Sequence, residues 1–145
     1  MAKVTSVNSS AKKEVRKKET ELVRLVRGQG IEGDAHAGNW HRQISMLAEE
    51  SIDKMRALGL TSLTPGAFAE NITTRGIDLM HLPVGTRLRL GEALVAVTQI
   101  GKECHNDGCA IQKTTGQCVM PTDGIFVIVL EEGVVRAGDD VTVLE

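Results

Sequence analysis

The chemistry-bearing part of this chain is the stretch that carries its three cysteines. Gly101-Lys102-Glu103-Cys104-His105-Asn106-Asp107-Gly108-Cys109-Ala110 sets one thiol between a lysine and a histidine, and Cys118 follows. Positive charge beside a thiol favours the thiolate. Such a group is a nucleophile, a sulfur carrier or a ligand for a soft metal. A free cysteine is otherwise a small buried hydrophobe. That reading suits Cys118, which precedes Val119-Met120, better than Cys104, which sits among Lys, Glu, His, Asn and Asp. Cys104, His105, Cys109 and Cys118 could also fill a structural zinc site, but their arrangement lacks the paired knuckles of the common zinc modules. No Cys-x-x-Cys redox pair occurs.

A second constellation is Gly30-Ile-Glu-Gly-Asp34-Ala-His36-Ala-Gly38, running into Trp40-His-Arg42-Gln43. Its glycines permit positive φ and close approach of backbone to a ligand. Asp34 and His36 could pair or cap turns, and Arg42 could grip an anion bidentately. The strand, Gly-x-Gly-x-x-Gly and helix order of a phosphate loop is missing. A third stretch, Pro65-Gly-Ala-Phe68-Ala-Glu-Asn71-Ile-Thr-Thr-Arg75-Gly76, reads locally as a turn and a strand with Phe68 as a core plug.

The elements that position these groups follow from composition and pattern. The chain has 145 residues, 41% hydrophobic and 25% charged, which suits one packed domain spanning residues 1–145. Aromatic residues make up only 2%, so the core is expected to be aliphatic and base-stacking surfaces are nearly absent. Together with a net charge of −2, this argues against a nucleic-acid partner. The basic run Lys12-Lys-Glu-Val-Arg-Lys-Lys18 reads as a solvated surface loop rather than a flap over an anion. The longest apolar run, Ile125–Leu130, is too short to span a membrane, and Met-Ala-Lys-Val-Thr-Ser is no export signal. A cytoplasmic location with reduced thiols is the expectation.

Short strands are expected at Ala2–Val7, Glu21–Arg27, Asn71–Thr74, Arg87–Leu90, Ala93–Ile100, Ile125–Leu130 and Asp140–Leu144, with Gly91-Glu92 turning a hairpin. One helix is expected from about Met46 to Leu58, capped by Ser45 and lined by Leu47, Ile52, Met55 and Leu58. The fold class is therefore mostly β: an antiparallel β-barrel with one main helix and short helical insertions.

Taken in order, several pieces resemble the MOSC domain, the C-terminal module of molybdenum-cofactor sulfurases. They are Gly30-Ile-Glu-Gly-Asp34-Ala-His36, Arg42-Gln-Ile-Ser, Phe68-Ala-Glu-Asn71-Ile-Thr and Leu82-Pro-Val-Gly-Thr, then Leu88-Arg-Leu-Gly and the strand-end Cys104. Gly-Lys-x-Cys-His, Gly116-Gln-Cys-Val-Met-Pro121 and Asp123-Gly-Ile-Phe126 are similar to the small stand-alone bacterial form. The resemblance implies a β-barrel and a cysteine, Cys104 by position, that handles sulfur or ligates molybdenum. The implied cofactor is the molybdenum cofactor, molybdopterin with its metal. Residue chemistry makes Arg42, Lys102 and Arg75 candidate phosphate partners, Asn71 and His36 candidate partners of the pterin edge, and His105 a further candidate beside Cys104.

As an enzyme, such a chain would be a sulfurtransferase-like protein or a molybdenum-dependent reductase acting with a partner. That partner would be a pyridoxal-phosphate-dependent cysteine desulfurase or a molybdoenzyme. Two other readings stay open: a non-enzymatic protein that delivers or scaffolds the cofactor, and a zinc-stabilised β-domain with structural cysteines.

Overall fold

Short strands dominate the chain; β-branched and aliphatic runs form them, with burial alternating in Leu22–Val26 and Arg87–Leu90 and nearly continuous in Ala93–Ile100 and Ile125–Glu131. The structure is a computed structural model that describes residues 2–10, 18–34, 37–57, 70–100 and 124–144. In chain order the elements are β1 (Lys3–Ser9), β2 (Lys18–Thr20), β3 (Leu22–Val26), β4 (Gly30–Ile31), β5 (Ile44–Ala48), α1 (Glu49–Ala57) and β6 (Ile72–Arg75). A single 3-10 turn (Leu79–His81) precedes β7 (Arg87–Leu90), β8 (Ala93–Ile100), β9 (Ile125–Glu131), β10 (Gly133–Arg136) and β11 (Val141–Leu144).

Strands β7 and β8 form the expected hairpin, with Leu90 opposite Ala93 across Gly91-Glu92. Gly91 has φ +54°, a left-handed conformation that glycine adopts without strain. Eight strands pair in the order β11-β7-β8-β9-β5-β6-β1-β2, and β10-β3-β4 form a second, smaller sheet. Among the described residues the ladders do not close into the expected barrel. The larger sheet instead curls until β1 meets the approach to β11 through one bridge, Lys3 with Asp140, and the Val4 N–H to Asp139 carbonyl bond of 2.8 Å. Nor is pairing wholly antiparallel: β5 and β6 run parallel, with Met46 opposite Ile72. A parallel pair needs a long connection, and residues 49–71 separate these two strands in sequence, with α1 directly after β5.

The helix starts three residues later than the pattern suggests. Ile44, Ser45, Met46, Leu47 and Ala48 are a strand buried at every position, so Ser45 is a sheet residue and not an N-cap. A strand covered on both faces shows no period-two alternation, and its apolar run merges with the helical pattern after it. The helix itself begins with Glu49-Glu50, ends with Lys54 and Arg56 in its last turn, and buries Ile52 and Met55. Those charges match the polarity of the helix dipole. Strands β2, β4 and β10 are also additions to the expected set, of three, two and four residues.

The core lies between the two sheets and is aliphatic throughout. Val4, Val7, Ile72, Met46, Val127 and Val95 from the larger sheet join Val23, Leu25, Ile31 and Val135 from the smaller in one buried cluster with no aromatic member. Burying such a side chain contributes about 1.5–3 kcal/mol each. A ring-poor sequence thus packs this cluster mainly with Val, Leu and Ile, with Met46, Ala48 and Ala93 filling between them. Among the described residues no helix is long and apolar enough to cross a membrane.

Candidate functional site

The register of the larger sheet brings a row of polar residues together. Asn8 lies beside Asn71, Asn71 beside Ser45, Ser45 opposite Phe126, and Phe126 opposite Gln99. Side chains alternate along a strand, and laterally paired residues share a face. The row therefore lies on the face opposite Val7, Ile72, Met46 and Val127 of the aliphatic core. Asn8, Ser45, Asn71 and Phe126 are all buried.

At one end of this row stands Arg42. Its Nε donates to Gln99 Oε1 at 3.0 Å, and its guanidinium carbon lies 5.3 Å from the centre of the Phe126 ring. His41 Nε2 meets the same Gln99 oxygen at 2.9 Å, and the Trp40 ring packs edge-on against the His41 imidazole. Local structure explains how the 40–42 turn reaches the sheet. Gln43 is buried and inserts its carboxamide oxygen at 3.0 Å from the Val129 N–H, extending β5 by a side chain instead of backbone. Gly30, at φ +109°, passes so close to Gln43 that an added Cβ would sit 2.6 Å from the Gln43 carbonyl oxygen. Only glycine permits that approach.

On the sheet side, the β8–β9 register slips between Val97 and Gln99, leaving Thr98 as the extra residue of a bulge. Bulges re-aim side chains beside functional sites, and here the Thr98 hydroxyl bonds the His41 carbonyl. Ile100 pairs with Ile125, so the segment that carries the cysteines leaves and rejoins the sheet at one point, one position from Gln99.

The other end of the row is a buried hydrogen-bond network. Asn71 Oδ1 accepts from the Ser45 N–H at 2.9 Å, and Asn71 Nδ2 donates to the Asn8 carbonyl at 3.3 Å. The Ser6 hydroxyl donates to Thr73 Oγ1 at 2.9 Å, and the Thr73 hydroxyl donates to the fully buried Glu70 carboxylate at 3.1 Å. Asn8 Oδ1 is buried with no hydrogen-bond partner. Asp34 closes the exit from β1: its Oδ1 accepts from the Ser9 hydroxyl at 3.2 Å and the Ser10 N–H at 3.1 Å.

Of the residues singled out from the sequence, Arg42 and Asn71 fall on this face. Arg75 lies at the other end of β6, where its guanidinium bonds the Asp53 carboxylate at 3.0 Å. The hydrogen bonds from Arg56 and Arg75 hold the Asp53 carboxyl below its ordinary range, against a small opposing effect of burial. Arg75 is therefore not brought to Arg42. His36, Phe68, Lys102, Cys104, His105, Cys109 and Cys118 lie outside the described residues, as does most of the basic run. Among the described residues no three His, Cys, Asp or Glu side chains gather as a metal site. Sequence reasoning passed over Gln99, His41, Asn8 and Ser45. Gln99 carried a signal: with Thr98 it interrupts the apolar run of a long strand.

The fold is that of a β-rich domain, with this arginine-bearing polar face, its candidate site, at the exit of β8. A family model described as the MOSC domain matches residues 33–142, and the chain belongs to that family. Solved structures agree at the level of fold. The YuaD protein from Bacillus subtilis is 22% identical, with a TM-score of 0.79 over 97% of this chain and 94% of that one. YiiM from Geobacillus stearothermophilus is 23% identical, with a TM-score of 0.71 over 100% of this chain and 76% of that one. YiiM from Escherichia coli is 22% identical, with a TM-score of 0.67 over 100% and 70%. No curated protein matches the sequence significantly.

Proposed function

We propose that this protein is a molybdenum-cofactor-binding or sulfur-carrying module whose reactive group is the Cys104 thiolate. Membership of the MOSC family, which is associated with molybdenum-cofactor binding, supports the cofactor. The observation that carries the reading to this chain is the pairing of Ile100 with Ile125 one position from Gln99, which holds Arg42. Three residues separate Ile100 from Cys104, so the four Cα steps reach at most about 14 Å of extended chain. A thiol and a guanidinium are thus tethered to one sheet end.

The donor set suits the cofactor's anionic end. Arg42 is anchored through Nε and by the Phe126 ring, and among the described residues no carboxylate neutralises it. Its remaining N–H groups match a phosphate geometrically. Lys102 would add charge to the same anion, and His105 would stabilise the thiolate beside it. Asn71 spends its carboxamide on Ser45 and Asn8, so its part is to hold three strands under the site more than to touch a pterin. When bound, the cofactor supplies a soft, redox-active metal for which a thiolate is a suitable ligand.

In the sulfur-carrying role the Cys104 thiolate attacks the outer sulfur of a partner's persulfide. A new S–S bond forms at Cys104, and the partner's cysteine leaves as thiolate. The partner is a cysteine desulfurase, or a molybdoenzyme that receives the cofactor or the sulfur. The odd number of clustered cysteines fits a reducing cytoplasm.

Elemental and pterin analysis of protein purified from a cofactor-producing host tests this reading. Molybdenum and pterin should copurify, and Cys104→Ala should lose the metal while Cys118→Ala keeps it. In the carrier role, Cys104 should gain about 32 Da, one sulfur atom, on incubation with a desulfurase and cysteine. Zinc in place of molybdenum, unchanged by Cys104→Ala and with no mass gain, would overturn the proposal in favour of a zinc-stabilised β-domain.

A further inference from the structure

One carboxamide oxygen organises the turn that carries Arg42. An arginine Nε–H only donates, so the Gln99 atom it meets at 3.0 Å is the carbonyl oxygen. His41 Nε2 lies 2.9 Å from the same oxygen, so that nitrogen carries its proton too. The ring's free position is therefore Nδ1. With Nε turned to Gln99 and the guanidinium carbon over Phe126, the four N–H groups left to Arg42 are on its terminal nitrogens.

Arginines that form ion pairs are treated differently. Arg24, Arg56, Arg75 and Arg89 each meet a carboxylate, whereas Arg42 meets a neutral amide and a ring. Its direction is fixed while its charge is left in place. A guanidinium serving only to tie the turn to the sheet would be better stabilised by an acid at position 99. A neutral acceptor fits a cation kept for an outside anion.

We infer that Gln99 is a positioning residue: by holding Arg42 Nε–H and His41 Nε2–H on one oxygen, it presents the terminal amines of Arg42 to a phosphate monoester or like oxyanion. This inference rests on reading the β8 end as the cofactor site, and it names the phosphate as the group held there. The bulge at Thr98 is part of the device, because it brings Gln99 opposite Phe126 and under the 41–42 backbone.

The test is a titration with inorganic orthophosphate, followed by NMR at the Arg42 Nε–H and the His41 ring. In the unaltered protein, phosphate should shift both signals saturably. Gln99→Met keeps the shape and removes the acceptor. It should expose the Arg42 Nε–H to fast solvent exchange and weaken phosphate binding by about tenfold. Gln99→Glu restores an acceptor, so the Nε–H signal should return to slow exchange. Its negative charge should nevertheless weaken phosphate binding at least as much as the methionine.

Unchanged exchange and affinity in Gln99→Met would overturn the inference, and so would no response to phosphate in the unaltered protein. Should the methionine variant fail to fold, Gln99→Glu decides: undiminished phosphate affinity in it refutes the role. Orthophosphate binding requires no metal, so this titration is read on protein free of molybdenum and stands apart from the cofactor reading. Loss of molybdenum association with this titration intact would count against the cofactor reading alone.

Discussion

Two neighbouring rows cross the same strands of the larger sheet, one running Val7, Ile72, Met46, Ile125 and the other Asn8, Asn71, Ser45, Phe126, Gln99. Each is buried over most of its length, yet they are built from opposite chemistry. The apolar row is held by removal of surface from water, which has no direction, so hydrophobic side chains of similar volume can replace one another. The polar row is held by bonds such as Asn71 Oδ1 to the Ser45 N–H and Asn71 Nδ2 to the Asn8 carbonyl, which require particular atoms at particular places. The lesson concerns where function can sit. A polar face under cover fixes geometry more tightly than an apolar one, and Arg42 is mounted at the end of that face.

The start of β6 holds a test of each row in consecutive residues, Asn71 just before the strand and Ile72 as its first residue. Ile72 is fully buried in the aliphatic cluster, and Ile72→Ala removes three carbons from a site closed by Val7 and Met46. A loss of about 3–4 kcal/mol is expected, read as a lower urea midpoint with unchanged slope, and Ile72→Val should recover most of it. One residue earlier, Asn71→Ala removes less volume but strands the Ser45 N–H and the Asn8 carbonyl in a buried place. About 2–3 kcal/mol should be lost. The comparison sharpens with Asn71→Leu. That change restores apolar volume and should rescue nothing, unlike Ile72→Val at its neighbour. Rescue by leucine would show that the polar row is held by packing after all.

The apolar row was largely legible in the sequence and the polar row was not. Arg-Leu-Arg-Leu in β7 announces its strand by alternation, and the long, largely apolar and β-branched runs of β8 and β9 announce theirs by content. The Gly91-Glu92 turn was readable for the same local reason. β5 was absorbed into the helix because burial on both faces erased its period, and with it went the parallel pairing to β6. Asn71 and Arg42 could be picked out by type and motif. That Asn71 clamps three strands while Arg75, four residues on, pairs with Asp53 depends on register and helix placement, which are long-range. Gln99 shows the limit most plainly. Its meeting with residues 41 and 42 comes from a bulge, and no local pattern foretells a bulge.

Thr74 is the residue that could break the contrast, because it puts a hydroxyl on the apolar face. It lies between Val4 and Ala48, both core members, and its Oγ1 is buried with no hydrogen-bond partner. On the polar face the equivalent hydroxyl, Thr73 Oγ1, accepts from Ser6 and donates to Glu70. If burial alone decides stability, the two threonines are equivalent; if satisfaction of polar atoms decides it, they are opposites. Valine has the same branching as threonine, so Thr74→Val replaces only the orphan hydroxyl by a methyl and should stabilise the protein by about 1 kcal/mol. Thr73→Val should do the reverse, since it leaves the Ser6 hydroxyl and the Glu70 carboxylate each short of a partner. Urea unfolding of the two variants measures both signs with one assay. Destabilisation by Thr74→Val would mean that its hydroxyl makes a bond inside the aliphatic core, and that the division of the sheet into an apolar and a polar face fails at β6.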